Sequence, residues 1–428
     1  MQHPVQPAVQ PGLQAIATFS IARLPRIVFG DGTVALVAKE ARALGQRALI
    51  VTGARAFRAT AHWQALLDDL AAMNMAWFDL IVEGEPSPEL VDRAVAEFSE
   101  SGIDVVIGIG GGSALDAAKA IAGMLPHGYS VLEHLEGVGP ERPYLGPSVP
   151  LIAVPTTAGT GSEATKNAVL SRQGGGGFKK SFRDDALVAR VAIIDPGLLV
   201  GCPPDVLAAN GMDAFTQLLE SFVSIRANPM TDALAWSGME AFRDGFFAAW
   251  QGGDTPSATA GRSRMAYASL VSGICLAQTG LGSVHGLASP LGAFFPIPHG
   301  TCCGTLVAEA TAVNIMALQI RDPAAPALAK YARVGRLLSQ QARVGAVVSG
   351  DAGGGDRDQA LLTLVDILRD WTARLSLPPL SGYGVTEADV DRVVAESRGS
   401  SMKTNPIVLT DDEIREVVVR RLGVGSVI

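Results

Sequence analysis

Two histidines, His285 and His299, bracket the segment His-Gly-Leu-Ala-Ser-Pro-Leu-Gly-Ala-Phe-Phe-Pro-Ile-Pro-His, in a chain that has only six histidines. Upstream, Asp213 and Gln217 stand four residues apart. On a helix that spacing puts both side chains on one face. A carboxylate, a carboxamide and two imidazoles are all ligands of divalent cations. Asp213, His285 and His299 alone form a two-histidine, one-carboxylate set suited to Fe(II) or Zn(II), and the carbonyl oxygen of Gln217 adds a weaker donor. A cation held there polarises a substrate oxygen. A lone histidine in a Gly/Pro-rich segment serves equally well as a cap or bridge; the concurrence of the four residues favours the metal reading.

A second constellation lies earlier in the chain. Gly110, Gly111, Gly112 and Ser113 follow a predicted strand and open a predicted helix that carries Asp116 and Lys119. Glycines let backbone approach an anion, Ser113 is a candidate N-cap, and a helix N-terminus offers free N–H groups and a positive dipole end. A pyrophosphate suits that place, although the spacing differs from the G-x-G-x-x-G of ordinary dinucleotide folds. A tight strand-to-helix turn accounts for the glycines alone. Pro155-Thr-Thr-Ala-Gly-Thr-Gly-Ser-Glu163 also follows a strand, and Thr156, Thr157, Thr160 and Ser162 bring hydroxyls to the sheet edge where open α/β folds bind ligands. Two such loops at neighbouring strand ends point to one nucleotide cleft. The first strand ends at Gly53 rather than at an acidic residue, with Arg55 and Arg58 beyond. That permits a nucleotide with or without a ribose 2′-phosphate, because no carboxylate there repels one.

These residues need elements to position them. Residues 47–52, 77–82, 104–109 and 151–155 read as short apolar strands, and 60–73 and 89–101 between them as helices. Continuous rather than alternating apolar strands predict a parallel sheet covered on both faces, a Rossmann-like α/β domain over 21–202 behind a loose tail at 1–20. From 203 to 428 helical periodicity takes over, at 207–223, 229–249, 262–277, 311–318, 324–340, 359–375 and 411–422, and predicts an all-α domain. Turns are expected at the glycine runs 174–177 and 350–355.

Composition narrows the function. Apolar residues make up 48% and charged residues 18%, as in ordinary globular chains, and a net charge of −8 without a basic run argues against nucleic acid and anionic membrane as partners. No signal peptide and no uninterrupted apolar span are evident, so a cytoplasmic location is expected. Cys202, Cys275, Cys302 and Cys303 lack C-x-x-C spacing and read as reduced, buried thiols, the last two beside His299. Phe215, Phe294, Phe295 and Cys302 are candidates for an apolar pocket wall, and aromatics at such spacings also build cores.

Together, Gly110-Gly-Gly-Ser-Ala-Leu-Asp-Ala-Ala-Lys119, Pro155 to Glu163, Ile194-Asp-Pro196, Gly211-Met-Asp-Ala214, His285-Gly-Leu-Ala288 and Pro298-His-Gly300 resemble the iron-containing (group III) alcohol dehydrogenase family, with Asn405-Pro406 and Asp411 also similar. The likeness runs from about Arg23 to near the C-terminus. It implies the dehydroquinate synthase-like architecture: an α/β nucleotide-binding domain, an all-helical domain and an active site between them. It implies NAD(P)-dependent interconversion of a small-molecule alcohol and an aldehyde or ketone, and self-association into a homodimer or larger homo-oligomer. Carried over by residue, Gly111, Gly112, Ser113 and Asp116 face the pyrophosphate and nicotinamide side of the cofactor, Thr156, Thr157 and Thr160 line the same groove, and Lys180, or its neighbour Lys179, reaches the ribose. The metal ligands fall on Asp213, Gln217, His285 and His299. The chain departs from the family twice. Gln217 stands where the family usually has His, and Ser289 stands where a second, proton-relaying His is common. Three alternatives follow from those departures and from the fold: a metal-free reductase of an oxo-acid, as in maleylacetate reductase, a lyase of the dehydroquinate synthase type, or a binding protein that has lost catalysis.

Overall fold

A computed structural model describes residues 16–172, 177–342 and 354–423. Residues 1–15 of the expected tail at 1–20 and most of the two glycine runs lie outside these residues.

Six strands form one parallel sheet: β1 (Arg26–Phe29), β2 (Arg47–Gly53), β3 (Ala76–Val82), β4 (Val105–Gly110), β5 (Leu151–Pro155) and, later in the chain, β8 (Val191–Ile194), in the order β1-β8-β5-β4-β2-β3. The helices α1 (Val37–Leu44), α2 (Ala61–Ala72), α3 (Pro88–Phe98) and α4 (Gly112–Met124) cover it. Every residue of β4, β5 and β8 is buried, and this explains the continuous apolar runs of β4 and β5, which lie between neighbours and under helices on both faces. The edge strand β3 has only Val82 buried. The short strands β1 and β8, which pair with one another, fall outside the sequence-predicted set. With four residues each, they carry too little periodicity to read.

The sheet reverses its order between β2 and β4: β3 lies to one side of β2, and the chain then crosses back to β4 on the other. Open α/β sheets bind ligands at such a switch point, beyond the carboxyl ends of the strands. Here that place is flanked by Gly53 and Gly110. The φ of Gly110 is +157°, and a Cβ there would meet the Ala114 Cβ at 2.7 Å and the Gly53 backbone nitrogen at 3.4 Å. Only glycine lets the strand turn into α4 that tightly.

An antiparallel hairpin, β6 (Asn167–Arg172) and β7 (Phe178–Arg183), leaves the main sheet. The helical half comprises α5 (Pro204–Val223), α6 (Pro229–Gln251), α7 (Pro256–Thr279), α8 (Ser283–Phe294), α9 (His299–Arg321), α10 (Pro326–Ala342), α11 (Gly354–Arg374), α12 (Val390–Glu396) and α13 (Asp411–Arg420). All seven expected helices are present. The helix α8, which carries His285, lies where a Gly/Pro-rich segment gave no helical signal, and Pro290 sits inside it. The last thirteen residues of α5 are buried on every side, so α5 runs through the helical core. The stretch expected at 311–318 is the middle of the longer α9, which is apolar enough to cross a membrane; 89% of its apolar window is buried inside the fold, as in a core helix. Phe215, a candidate pocket residue, is instead packed against Phe242 and Trp371 in the core, because it faces away from the Asp213 side of α5.

The two halves meet where the loop after β5 presses on α7. Gly161 has φ +59°, and a Cβ on it would lie 2.4 Å from the Gly273 Cα. Two glycines thus let backbone touch backbone, and they bring the nucleotide-side loop against the helix that carries Ser272.

Candidate active site

A cleft of about 280 Å³ opens between the halves. One wall is Gly112, Ser113, Asp116 and Thr160; the opposite wall is Gln217, His285, Ser289 and His299, with Lys179 and Lys180 of the hairpin alongside.

On the sheet side the backbone does most of the work. α4 begins at Gly112 with Gly111 as its N-cap, and no side chain caps it. Ser113 therefore stands inside the first turn rather than at the cap, and the free N–H groups of that turn remain available to an anion. A Cβ on Gly112 would touch Thr160, and one on Gly111 would touch Thr157, so the two loops lie against each other. Thr156 is buried just beyond β5. Gly53, Gly111, Thr156 and Thr157 do not line the cleft itself. Asp116 is committed internally: Ser162 Oγ donates to its Oδ1 at 2.5 Å and the Val169 N–H to its Oδ2 at 3.1 Å. Lys119, which was not among the expected site residues, is fully buried and donates to Ser162 O, Ser162 Oγ, Thr165 Oγ1 and Asn167 O. It ties the loop after β5 to α4. Lys179 pairs with Glu85, whereas the Lys180 ammonium lies near Gly137. Arg58 is held by Asp79 and Thr52 and stacks on Trp63, so its charge is engaged near the end of β2.

On the helical side the side chains converge. Asp213 Oδ1 is 3.2 Å from His285 Nε2 and 3.8 Å from His299 Nε2. Asp213 is wholly buried, and its Oδ2 has no hydrogen-bond partner among the described residues. Burial pushes the Asp213 carboxyl up, but His299, His285 and Cys303 outweigh it and hold the group below the usual carboxylate range. The other nitrogen of His285, Nδ1, lies 2.6 Å from Glu220 Oε2, and Glu220 Oε1 accepts from the Val284 N–H at 2.7 Å. A carboxylate on Nδ1 fixes the tautomer that leaves Nε2 facing Asp213, as is usual for a metal-binding histidine. Burial lowers His299 to about 4, and Asp213 only partly offsets it. The Gln217 amide oxygen, the atom able to coordinate a cation, instead accepts from Ser272 Oγ at 2.7 Å. Cys303 occupies the remaining side: its Sγ is 3.6 Å from His285 Nε2 and 3.8 Å from His299 Nε2. Donor atoms of Asp213, His285, His299 and Cys303 all lie within 4.8 Å of one another. A buried orphan carboxylate oxygen beside oriented imidazoles and a thiol fits a divalent cation. Ser289, one helical turn after His285, donates from Oγ to the Lys179 carbonyl at 3.2 Å.

Sequence reasoning passed over Glu220 and Cys303. Each had a signal in its spacing, Glu220 seven residues after Asp213 and Cys303 four after His299, so both share a helical face with a candidate ligand.

The family description "Iron-containing alcohol dehydrogenase" matches residues 25–196, and "Fe-containing alcohol dehydrogenase family, C-terminal" matches 207–422. The chain belongs to the iron-containing alcohol dehydrogenase family. It is 32% identical over 397 residues to alcohol dehydrogenase 4 of Schizosaccharomyces pombe (strain 972 / ATCC 24843), covering 91% of this chain and 86% of that one. It is 29% identical over 408 residues to the NAD-dependent methanol dehydrogenase of Bacillus methanolicus, covering 93% and 98%. The solved structure of sulfoacetaldehyde reductase from Bifidobacterium kashiwanohense in complex with NAD+ superposes with a TM-score of 0.78 at 26% identity, covering 96% and 100%. This iron-containing alcohol dehydrogenase relative is accordingly an NAD(P)-dependent oxidoreductase that interconverts an alcohol with an aldehyde or ketone, and the redox reading displaces the lyase alternative.

Proposed function

We propose that hydride transfer takes place in the cleft between the sheet edge and α8, with a divalent cation, Fe(II) or Zn(II), held by Asp213, His285 and His299. The observation that carries this reading is the convergence of the Asp213, His285 and His299 donor atoms within 4.8 Å of one another, with the second oxygen of the Asp213 carboxylate buried and unpartnered among the described residues. When bound there, the cation supplies Lewis-acid polarisation of the substrate oxygen. The chain's own residues do the rest. N–H groups of the first turn of α4, at Gly112 and Ser113, bind the cofactor pyrophosphate. Thr160 closes the groove beside them, and Thr156 and Thr157 support it from behind. Gly53 leaves room at the adenosine end, and Lys180 reaches toward the ribose. Asp116 acts indirectly, by holding Ser162 and β6 in place. Ser289 positions the hairpin through the Lys179 carbonyl, because its hydroxyl proton is committed there. Glu220 keeps His285 in its tautomer. A cleft of about 280 Å³ that must also admit a nicotinamide suits a short alcohol or aldehyde. The reading extends to two domains divided near residue 203 and a cytoplasmic location, as expected from the sequence, and to a homo-oligomer, as the family resemblance implies.

The test is the appearance or loss of reduced-nicotinamide absorbance with short alcohols and aldehydes, for wild type and Asp213→Ala. Turnover should fall about a thousandfold in kcat/KM, the equivalent of roughly 4 kcal/mol of lost transition-state stabilisation. Unchanged turnover overturns the assignment. The anchoring of Gln217 on Ser272 favours one other reading, a metal-free carbonyl reductase. Wild-type protein that binds no divalent metal yet reduces a carbonyl at full rate decides for it.

A further inference from the structure

We propose that Cys303, not Gln217, is the fourth protein ligand of the cation, giving an Asp213/His285/His299/Cys303 centre that prefers zinc to iron. The inference rests on the metal reading above and deepens it.

Three observations carry it. The Gln217 amide oxygen lies 2.7 Å from Ser272 Oγ, a contact that ties the amide to α7. Cys303 follows His299 by one helical turn on α9, so the two project from the same face. Four of the six donor separations, taken with Asp213 Oδ1 as the carboxylate donor, also lie within about 0.5 Å of those of a coordination tetrahedron. Ordinary zinc bond lengths to nitrogen, oxygen and sulfur imply edges of roughly 3.3 Å between N or O donors and roughly 3.6 Å from sulfur to either. The structure has 3.2 and 3.8 Å for the edges from Asp213 Oδ1 to the two imidazoles, and 3.6 and 3.8 Å for those from Cys303 Sγ. The neighbouring Cys302, also buried, stands outside this set of four.

Binding replaces the thiol proton, which leaves to solvent, by a metal–sulfur bond. A thiolate among N and O donors shifts preference toward softer, tetrahedral ions, hence Zn(II). Catalytic zinc sometimes expands to five ligands, and substrate would reach a centre with four protein donors by that route. A glutamine at position 217 is then no loss, because a thiolate has taken over the duty of the imidazole.

Cobalt(II), the spectroscopic stand-in for zinc, tests this on the full-length protein. Wild type titrated with cobalt(II) should develop an intense near-ultraviolet sulfur-to-cobalt charge-transfer band at one equivalent. The band should persist in Cys302→Ser and Gln217→Ala, and vanish in Cys303→Ser with at least a tenfold weaker cobalt affinity. Cys303→Asp, which keeps a donor but no sulfur, should bind cobalt without the band, so the result does not hang on one variant folding. Cobalt bound to wild type without a charge-transfer band overturns the thiolate while leaving the metal reading intact. No cobalt bound at all overturns both. A band that survives Cys303→Ser and disappears in Cys302→Ser places the sulfur on the wrong cysteine and overturns the proposal.

Discussion

Two buried carboxylates on opposite sides of the cleft, Glu163 and Asp213, have been driven in opposite directions. Glu163 lies under the loop after β5 at 2% exposure, and burial pushes its pKa up to about 7 despite the nearby Lys119. Asp213 is at 0% exposure and burial pushes it the same way, yet two imidazoles and a thiol hold it down. The contrast separates two ways of building a site. On the sheet side, charged residues are consumed internally: Asp116, Lys119 and Ser162 bind one another and shape a loop whose business end is bare backbone. On the helical side, side chains converge with one oxygen unspent. A scaffold can tolerate a carboxylate that becomes neutral on burial; a cation site needs one that stays an anion.

The largest effect expected from this contrast is on stability. The folded-state pKa of Glu163 lies above its unfolded value near 4.5, so between those values the folded chain holds a proton that the unfolded chain has released. Its contribution is fully present below about pH 4.5 and is lost as pH rises through about 7, by up to about 3 kcal/mol. Glu163→Gln cannot titrate. The melting temperature of the variant relative to wild type should therefore climb between pH 4.5 and 7 and level off above. A gap that stays flat across that window breaks the comparison, because Glu163 would then be as anionic as Asp213.

Glu220 sharpens the other half. It touches no substrate space of its own but orients His285 through Nδ1. Removing a carboxylate that orients a metal-binding histidine costs about 10–100-fold in metal affinity. Glu220→Gln should show that loss in a competitive zinc titration while its affinity for the nicotinamide cofactor stays at the wild-type value. Equal losses of both would mean that Glu220 supports the whole cleft rather than the donor cluster.

The same contrast explains what could be read from the chain. The glycine loop is legible because its parts are contiguous: strand, three glycines and helix follow one another, and any strand of continuous apolar character announces a covered parallel sheet. The donor cluster comes from three helices brought together by core packing, and only Asp213, His285 and His299 were marked by residue type. Gln217 reads as a ligand because it occupies a ligand's place on α5, and nothing local in sequence reveals that Ser272, fifty-five residues on, contacts its amide. Cys303 reads as a small buried residue beside an identical neighbour; its spacing from His299 becomes informative only once α9 is known to start at His299. Ser113 suits a cap by type, yet the cap falls two residues earlier, at Gly111, directly after the tight turn of Gly110.

The smallest effect concerns the adenosine end of the sheet side, where the chain lacks a side chain rather than committing one. At Gly53 a Cβ would meet nothing within 4 Å, and its φ is not in the positive range, so a larger residue fits without strain. Arg58 is already paired with Asp79, whereas Arg55, two residues beyond Gly53, is exposed. The wild-type end of β2 thus carries no carboxylate to repel a 2′-phosphate and keeps one exposed arginine, Arg55, beside it. Gly53→Asp adds the missing discrimination: a carboxylate that accepts from the ribose 2′-OH of NAD and repels the 2′-phosphate of NADP. The ratio of kcat/KM for NAD over NADP should rise about tenfold, roughly 1.4 kcal/mol, with metal content unchanged. A ratio that does not move places the ribose away from β2, and the switch point between β2 and β4 would then bind the pyrophosphate alone.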